Sequence, residues 1–255
     1  MNYSLMLDER KRTDVAAPAP WLSIIIPTFN EQRSIGDTLD AICNLRGNFE
    51  VIVVDGTSED DTLTAANSKY DNRVRVISSE RGRGAQMHAG ACAARGQVLW
   101  FVHADTLPPK DGIERIGEAL KQLSVVGGNF QIRFDGDTRA ARFLSWLYPQ
   151  LRRIGLCYGD SAIFVRKDVY KTIGGFKPLP LFEDLDFVRA MRQRGLVVLI
   201  PAAVITSSRR FERRSFALTF ARWSLFQILY WLGVSPHFLG RRYAPIRGDA
   251  QASDK

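Results

Sequence analysis

The feature that most constrains the fold is an alternation running through the first hundred residues. Short, almost wholly apolar runs take turns with stretches of helical character. The runs are LSIIIPTF (22–29), FEVIVVD (49–55), RVRVISS (73–79) and QVLWFVHAD (97–105). Between them the sequence predicts helices over about 31–45, from near Asp60, and over the alanine-rich stretch 84–94, with Thr57 or Ser58 placed to cap the second. Strands apolar at nearly every position must be covered on both faces, and helical connections leave room for that only in a parallel sheet. The expectation is an α/β fold: a mostly parallel sheet with helices on both faces.

Beyond residue 105 the pattern loosens. A helix near 110–123 precedes strand-like GGNFQIRF (127–134), a helical piece at 138–153, GDSAIFVRK (159–167), an acidic helix start at EDLDF and a short strand VVLIP (197–201). No internal repeat appears, and 255 residues suffice for one large domain with a sizeable core. We assign residues 21–205 to that domain. Residues 1–20 mix charge and proline without the apolar centre of a signal peptide and read as a flexible leader. Residues 206–247 form a basic, aromatic-rich helical appendage, and 248–255 a flexible tail.

Cys43, Cys92 and Cys157 are odd in number and far apart, matching neither a disulfide framework nor a zinc spacing. They fit a reducing, cytoplasmic setting. The net charge of +8 is concentrated. Between Ser207 and Arg247 eight arginines face one acid, Glu212, leaving the rest of the chain near neutrality. A nucleic-acid binder usually spreads its positive charge over the folded domain, so no nucleic acid is expected as partner.

Ligands of open α/β sheets bind outside the carboxyl ends of the strands. Asp55, Asp105 and the pair Glu183/Asp184 occur where such ends are expected. Each acid taken alone could simply cap the next helix; recurrence after two strands favours a shared site. Arg83, flanked by glycines at a helix start, offers a guanidinium beside free backbone N–H groups, a suitable seat for a diphosphate. The plainer alternative is an arginine-rich surface loop. His88 and His237 read as structural, and Asp60 and Asp61 as first-turn helix charges.

Five blocks, SIIIPTFNE (23–31), VIVVDGTSEDDT (51–62), RGRGAQMHAGACAARG (81–96), VLWFVHADT (98–106) and LFEDLDFVRAMRQRG (181–195), together resemble the family 2 glycosyltransferases in order and spacing. The resemblance covers roughly 22–205. It implies the GT-A fold, the Rossmann-like architecture of nucleotide-diphospho-sugar transferases, and inverting transfer of a sugar from a UDP- or GDP-linked donor. Pro27, Thr28, Asn30 and Glu31 match the first donor-binding loop, and Asp55 the acid that reads base or ribose. Asp105 matches the last acid of the family's DxD motif, which holds Mg2+ or Mn2+ against the donor diphosphate. Asp184 matches the catalytic base, with Glu183 orienting it or touching the acceptor, and Asp160 falls where donor sugar or acceptor is contacted. Two departures stand out. His103 replaces the first acid of the DxD motif, where it touches ribose or metal or serves only structure, and Gly56 stands where many relatives carry a second Asp.

Residues 215–232 read as one helix whose aromatic and aliphatic residues separate onto opposite faces. The aliphatic face is expected to dock on the domain, presenting Trp and Tyr outward to an anionic membrane surface, since such rings favour that interface. A subunit interface or burial in the chain's own domain are the alternatives. Such a tail favours a lipid-linked or membrane-proximal acceptor, although SRRFERR (208–214 with Ser207) sits where relatives close over diphosphate. Among other classes, a dinucleotide oxidoreductase is disfavoured because Gly82-Arg83-Gly84 follows the third strand and lacks the third glycine. A nucleotidyltransferase would want a glycine-rich loop with a lysine after the first strand, and PTFNEQRS has neither. A catalytically silent sugar-nucleotide or membrane-binding module of the same fold remains the alternative to the enzyme.

Overall fold

The structure is a computed structural model and describes residues 19–68, 71–136, 138–153, 159–207 and 216–242. Nearly all of the proposed leader 1–20, the tail 248–255, Cys157 and the arginines at 209, 210, 213, 214 and 247 lie outside the described residues.

The four apolar runs become β1 (Leu22–Thr28), β2 (Phe49–Asp55), β3 (Val74–Ser78) and β4 (Val98–Phe101). Helices α1 (Ile35–Cys43), α2 (Thr62–Asn67) and α3 (Arg83–Ala93) connect them. Strands β3, β2, β1 and β4 lie side by side and parallel, in that order. The back half adds β5 (Thr106–Leu107), α4 (Gly112–Leu120), β6 (Val125–Phe134), α5 (Arg139–Arg153), a single 3-10 turn (Gly159–Ser161), β7 (Phe164–Arg166), α6 (Lys167–Thr172), α7 (Glu183–Arg192) and β8 (Leu196–Thr206). Its strands extend the sheet to β3-β2-β1-β4-β7-β6-β8-β5, with β7 and β5 running antiparallel to their neighbours.

Side-chain alternation splits each parallel strand between two cores. Leu22, Ile24 and Ile26 of β1 pack with α1, α4 and α5, whereas Ile25 packs with α3, α6 and α7. In β4, Trp100 joins the first core and Phe101 the second. In α1, buried Ile35, Thr38, Leu39 and Ile42 follow the i, i+3, i+4, i+7 spacing of a helix covering one face. Gly90 lets α3 press on the sheet: a Cβ there would lie 2.5 Å from Ile25 and 2.9 Å from Val54.

Two local expectations are corrected. The second helix begins at Thr62 with Asp61 at its N-cap position, so neither Thr57 nor Ser58 caps it; the Ser58 N–H and hydroxyl turn back to Asp55 instead. The fourth strand stops at Phe101 rather than Asp105, because residues 103–106 close a turn in which the Thr106 N–H donates to the His103 carbonyl (3.1 Å).

The appendage contributes α8 (Phe216–Trp231) and α9 (Pro236–Arg242). Helix α8 docks the other way round from the sequence expectation. Phe226 and Gln227 are buried, and Tyr230 stacks on Phe182 with ring centroids 4.6 Å apart. Leu218, Leu225, Ile228 and Leu232 face solvent, and of the rings expected outward Trp231 is exposed. Both faces of this helix are apolar, so the choice falls to the surface receiving it. Phe182, Leu185, Tyr148 and Leu151 form a ring-rich seat, and rings pack against rings in offset and edge geometries worth about 0.5–1.5 kcal/mol beyond area burial.

Candidate functional site

The carboxyl ends of β1, β2 and β4 point to one edge of the sheet, and the candidate residues assemble there. At the end of β1, Pro27 and Thr28 are buried, and Asn30 takes a left-handed backbone (φ 56) that turns the chain. The loop after β1 is laced to the loop after β2. The Asn30 N–H donates to Ser58 Oγ (3.0 Å), the Glu59 N–H donates to Asn30 Oδ1 (2.9 Å), and the Glu31 N–H donates to Thr62 Oγ1 (2.7 Å). Asp60 joins the lacing by accepting from the Gln32 N–H (3.3 Å).

Asp55 is 1% exposed, and its carboxylate accepts from the Ser58 N–H (2.9 Å), the Ser58 hydroxyl (2.5 Å) and the Thr28 hydroxyl (3.5 Å). In this arrangement it ties the two loops together. Beside it lies a residue that sequence reasoning missed. Gln86, buried in α3, donates through Nε2 to the carbonyls of Thr28 (2.6 Å) and Val54 (2.9 Å), bridging β1 and β2. The Gln86 amide lies over Gly56, where a Cβ would sit 2.9 Å from it and press on this bridge. The available signal was a glutamine on the face of α3 that also buries Met87, Gly90 and Ala91.

The second half of the site is a charge cluster in which the buried Glu183 and Asp184 carboxylates meet a partly exposed Arg83. Arg83 opens α3 after Gly82, whose φ of 145 admits the sharp entry. Gly84 allows close approach of that turn to the chain ahead of α7, as a Cβ would lie 2.5 Å from the Lys177 carbonyl. Arg83 Nε donates to Glu183, and its Nη2 lies 3.7 Å from Asp184 Oδ2. Glu183 and Asp184 follow no strand: they begin α7 after Phe182, a non-glycine residue with φ 63. Asp184 Oδ2 accepts from the Gly159 N–H (2.5 Å), and Oδ1 from the Leu185 N–H (2.8 Å).

Burial, reinforced by the adjacent Glu183 carboxylate, raises the Asp184 pKa to about 6 against the opposing pull of Arg83 and the two N–H groups. Burial works against the Arg83 charge, but Glu183, Asp184 and Asp160 outweigh it and hold the guanidinium protonated. Asp160 lies in the 3-10 turn rather than on a strand. Its Oδ1 is 2.9 Å from His103 Nδ1, while the buried His103 Nε2 meets no partner. A Cβ at Gly159 would fall 3.1 Å from that Nε2 and 3.4 Å from Asp184 Oδ2, so glycine leaves a small space between imidazole and carboxylate.

Asp105 is half-buried in the turn after β4, and its carbonyl accepts from the Ser207 N–H (3.2 Å). The chain segment containing SRRFERR therefore departs from beside Asp105; the rest of that segment lies outside the described residues. Among the described residues no three His, Cys, Asp or Glu side chains converge as a metal cage. His88 meets the Tyr170 hydroxyl through Nδ1 (3.1 Å), away from this cluster. A cavity of about 560 Å³ opens at the opposite edge of the sheet, lined by Trp21, Arg95, Val98, Lys121 and Arg166 among others, and shares no residue with the site.

A family model described as Glycosyl transferase family 2 matches residues 23–173. The chain is 31% identical to glycosyltransferase AglE of Haloferax volcanii over 171 residues, covering 62% of this chain and 56% of that one. It is 35% identical to a dolichol-phosphate mannosyltransferase of Pyrococcus furiosus over 164 residues, 61% of this chain and 45% of that one. A PGL/p-HBAD biosynthesis glycosyltransferase of Mycobacterium tuberculosis is 30% identical over 204 residues, 76% of this chain and 78% of that one. The chain thus spans about half the length of the first two of these relatives. Among solved structures, S. aureus TarS 1–349 in complex with UDP-GlcNAc superposes with a TM-score of 0.59 at 18% identity, over 77% of this chain and 60% of that one. Mannosyltransferase PcManGT from Pyrobaculum calidifontis in complex with GDP-Man and Mn2+ gives 0.55 at 21% identity, over 78% and 59%. At these identities the likeness speaks for the fold.

Proposed function

The chain belongs to glycosyl transferase family 2, and from that premise we propose that it is an inverting glycosyltransferase moving a sugar from a UDP- or GDP-linked donor to an acceptor hydroxyl. The observation that carries the proposal is the Arg83–Glu183–Asp184 cluster, its two acids buried, at the carboxyl edge of the sheet. Residues 21–205 are the unit we assign to transfer.

Inversion needs one carboxylate that takes the acceptor's proton while the hydroxyl oxygen attacks the sugar from the face opposite the leaving diphosphate. Asp184 is our base. A carboxylate raised to about 6 is ionised at neutral pH yet more basic than an ordinary aspartate, which suits that task. The N–H groups of Gly159 and Leu185 orient it. Glu183 holds Arg83 in place, and the half-exposed guanidinium is suited to the donor's diphosphate. Pro27, Thr28, Asn30, Glu31 and Asp55 form the nucleotide end, with Asp55 acting by fixing the paired loops. Asp160 positions His103 and borders the donor sugar.

A divalent ion fits the residues present. Asp105 offers a hard oxygen donor, and two protein groups suffice when phosphates complete the coordination. The Asp160 contact to His103 Nδ1 leaves the lone pair at Nε2, as in carboxylate–histidine–metal arrangements, and that buried nitrogen meets no partner. Asp105 with His103 Nε2 would hold the ion, and the nitrogen favours Mn2+ over Mg2+. When bound, the ion neutralises charge on the departing nucleoside diphosphate.

The dolichol phosphate in one relative's name and the basic tail support a lipid-linked acceptor. No helix among the described residues is long and apolar enough to cross a membrane. From the scattered cysteines and the basic, aromatic tail we propose a cytoplasmic protein working peripherally against an anionic membrane. A thermal-shift panel of nucleoside diphosphates and sugar nucleotides, with and without Mn2+, tests the donor reading. Metal-dependent stabilisation by one base is expected, whereas indifference to every nucleotide would refute it. His103 in place of an acid also suits a catalytically silent module, and a donor that stabilises the protein without any release of nucleoside diphosphate would favour that reading.

A further inference from the structure

Helix α8 exposes the wrong face for a helix that is finished packing. Phe226 and Tyr230 turn inward, and Leu218, Leu225, Ile228 and, just past the last turn, Leu232 turn outward with exposures between 49 and 75%. At 100° per residue these four fall within an arc of about 80°, and they run for about 20 Å along the axis. Trp231, at the end of α8, and Phe238, in α9, extend the patch, each more than half exposed. A contiguous apolar strip of this kind on a water-facing surface marks a contact with something else.

Charge indicates what that contact is. Residues 216–242 contain three arginines, Arg222, Arg241 and Arg242, and no acid. Arg241 and Arg242 are exposed, and the Arg242 guanidinium lies 4.0 Å over the exposed Phe238 ring. The sequence adds Arg209, Arg210, Arg213 and Arg214 just ahead of α8, against the single Glu212. A strip of aliphatic side chains bordered by arginines matches an anionic lipid surface, apolar below and negatively charged above.

We propose that the outward aliphatic face of α8, with Trp231 and Phe238, is the surface by which the protein lies in the headgroup layer of an anionic membrane. It rests on the peripheral-membrane reading above and identifies the face that makes the contact. The inward face of the same helix reaches the site. Tyr230 stacks on Phe182, the left-handed residue immediately before Glu183 and Asp184. A helix seated in lipid is thereby tied, through the Tyr230–Phe182 stack, to the turn that carries the proposed catalytic pair.

The test uses the full chain with vesicles of phosphatidylcholine alone or mixed with phosphatidylglycerol, scored by co-sedimentation. The wild type should partition onto the mixed vesicles, more weakly at high salt and little onto phosphatidylcholine alone. Leu225→Glu/Ile228→Glu should lower that partition about tenfold or more, because two carboxylates would have to enter the interface. Both sites face solvent, so far-UV circular dichroism and the donor-dependent thermal shift should match the wild type. Absence of wild-type partition, or equal partition by the variant, overturns the proposal. So does a wild-type dimer, insensitive to vesicles, that the double substitution dissociates in light scattering, for then a second copy covers the strip. A donor shift missing from both proteins would instead count against the transferase reading, leaving the vesicle result to decide the surface.

Discussion

At the scale of single residues, Asp184 makes the sharpest predictions. Asp184→Asn should cut turnover by about 10²- to 10⁴-fold, the usual worth of a general base, while the donor-dependent thermal shift persists. Near-normal turnover would remove it from the mechanism. Because its pKa is raised to about 6, kcat/KM should climb with pH and level off above that value, and Asp184→Asn should abolish the dependence. His103→Asp tests the nitrogen ligand. Replacing Nε2 by a carboxylate should move the ion preference in thermal shift from Mn2+ toward Mg2+, and an unchanged preference would place His103 outside the metal's reach. Chain order and residue type made the acids, Arg83 and His103 legible. Gln86 and the Asp160–His103 contact were not, because both depend on side chains meeting across elements distant in sequence.

At the scale of elements, α3 bears most of the geometry. Its first turn meets α7's approach through Gly84, its middle bridges two strands through Gln86, and its centre touches the sheet through Gly90. Gly90→Ala should cost about 1–3 kcal/mol by overpacking against Ile25 and Val54, seen as a lowered melting temperature with the site's pH profile retained. Glycine recurs in RGRGAQMHAGACAARG, but only the tertiary structure shows what each one approaches: the Lys177 carbonyl at Gly84, and the Ile25 and Val54 side chains at Gly90. The reversed seating of α8 teaches the same point. Its two apolar faces are nearly equal by sequence, and the rings of Phe182 and Tyr148 on the receiving surface decided between them.

For the whole molecule, pH acts on buried carboxylates in opposite senses. Burial opposes the Glu50 charge, yet the Arg95 N–H, the Ser23 hydroxyl and the Arg95 guanidinium overcome it and lower its pKa. Its stabilising contribution is present above the ordinary glutamate range and lost as pH falls through the depressed value. Asp184 has the reverse sign: its contribution is complete below the ordinary aspartate value and lost as pH rises through about 6. The melting temperature should therefore fall in strong acid and also decline between about pH 4 and 6, and Asp184→Asn should flatten only the second decline. An identical slope in both proteins would contradict the raised value. The alternation of apolar runs and helices by itself determined the doubly covered α/β sheet, because strands apolar on both sides have no other stable arrangement in water. The ordered motifs determined the family and named the residues we propose for the site. What only the tertiary structure decided was contact: which loops Asp55 ties, what Arg83 neutralises, which side chain lies over Gly56, and which face of α8 meets solvent. Those outcomes follow from packing between segments up to a hundred residues apart, and a linear pattern carries no record of distance.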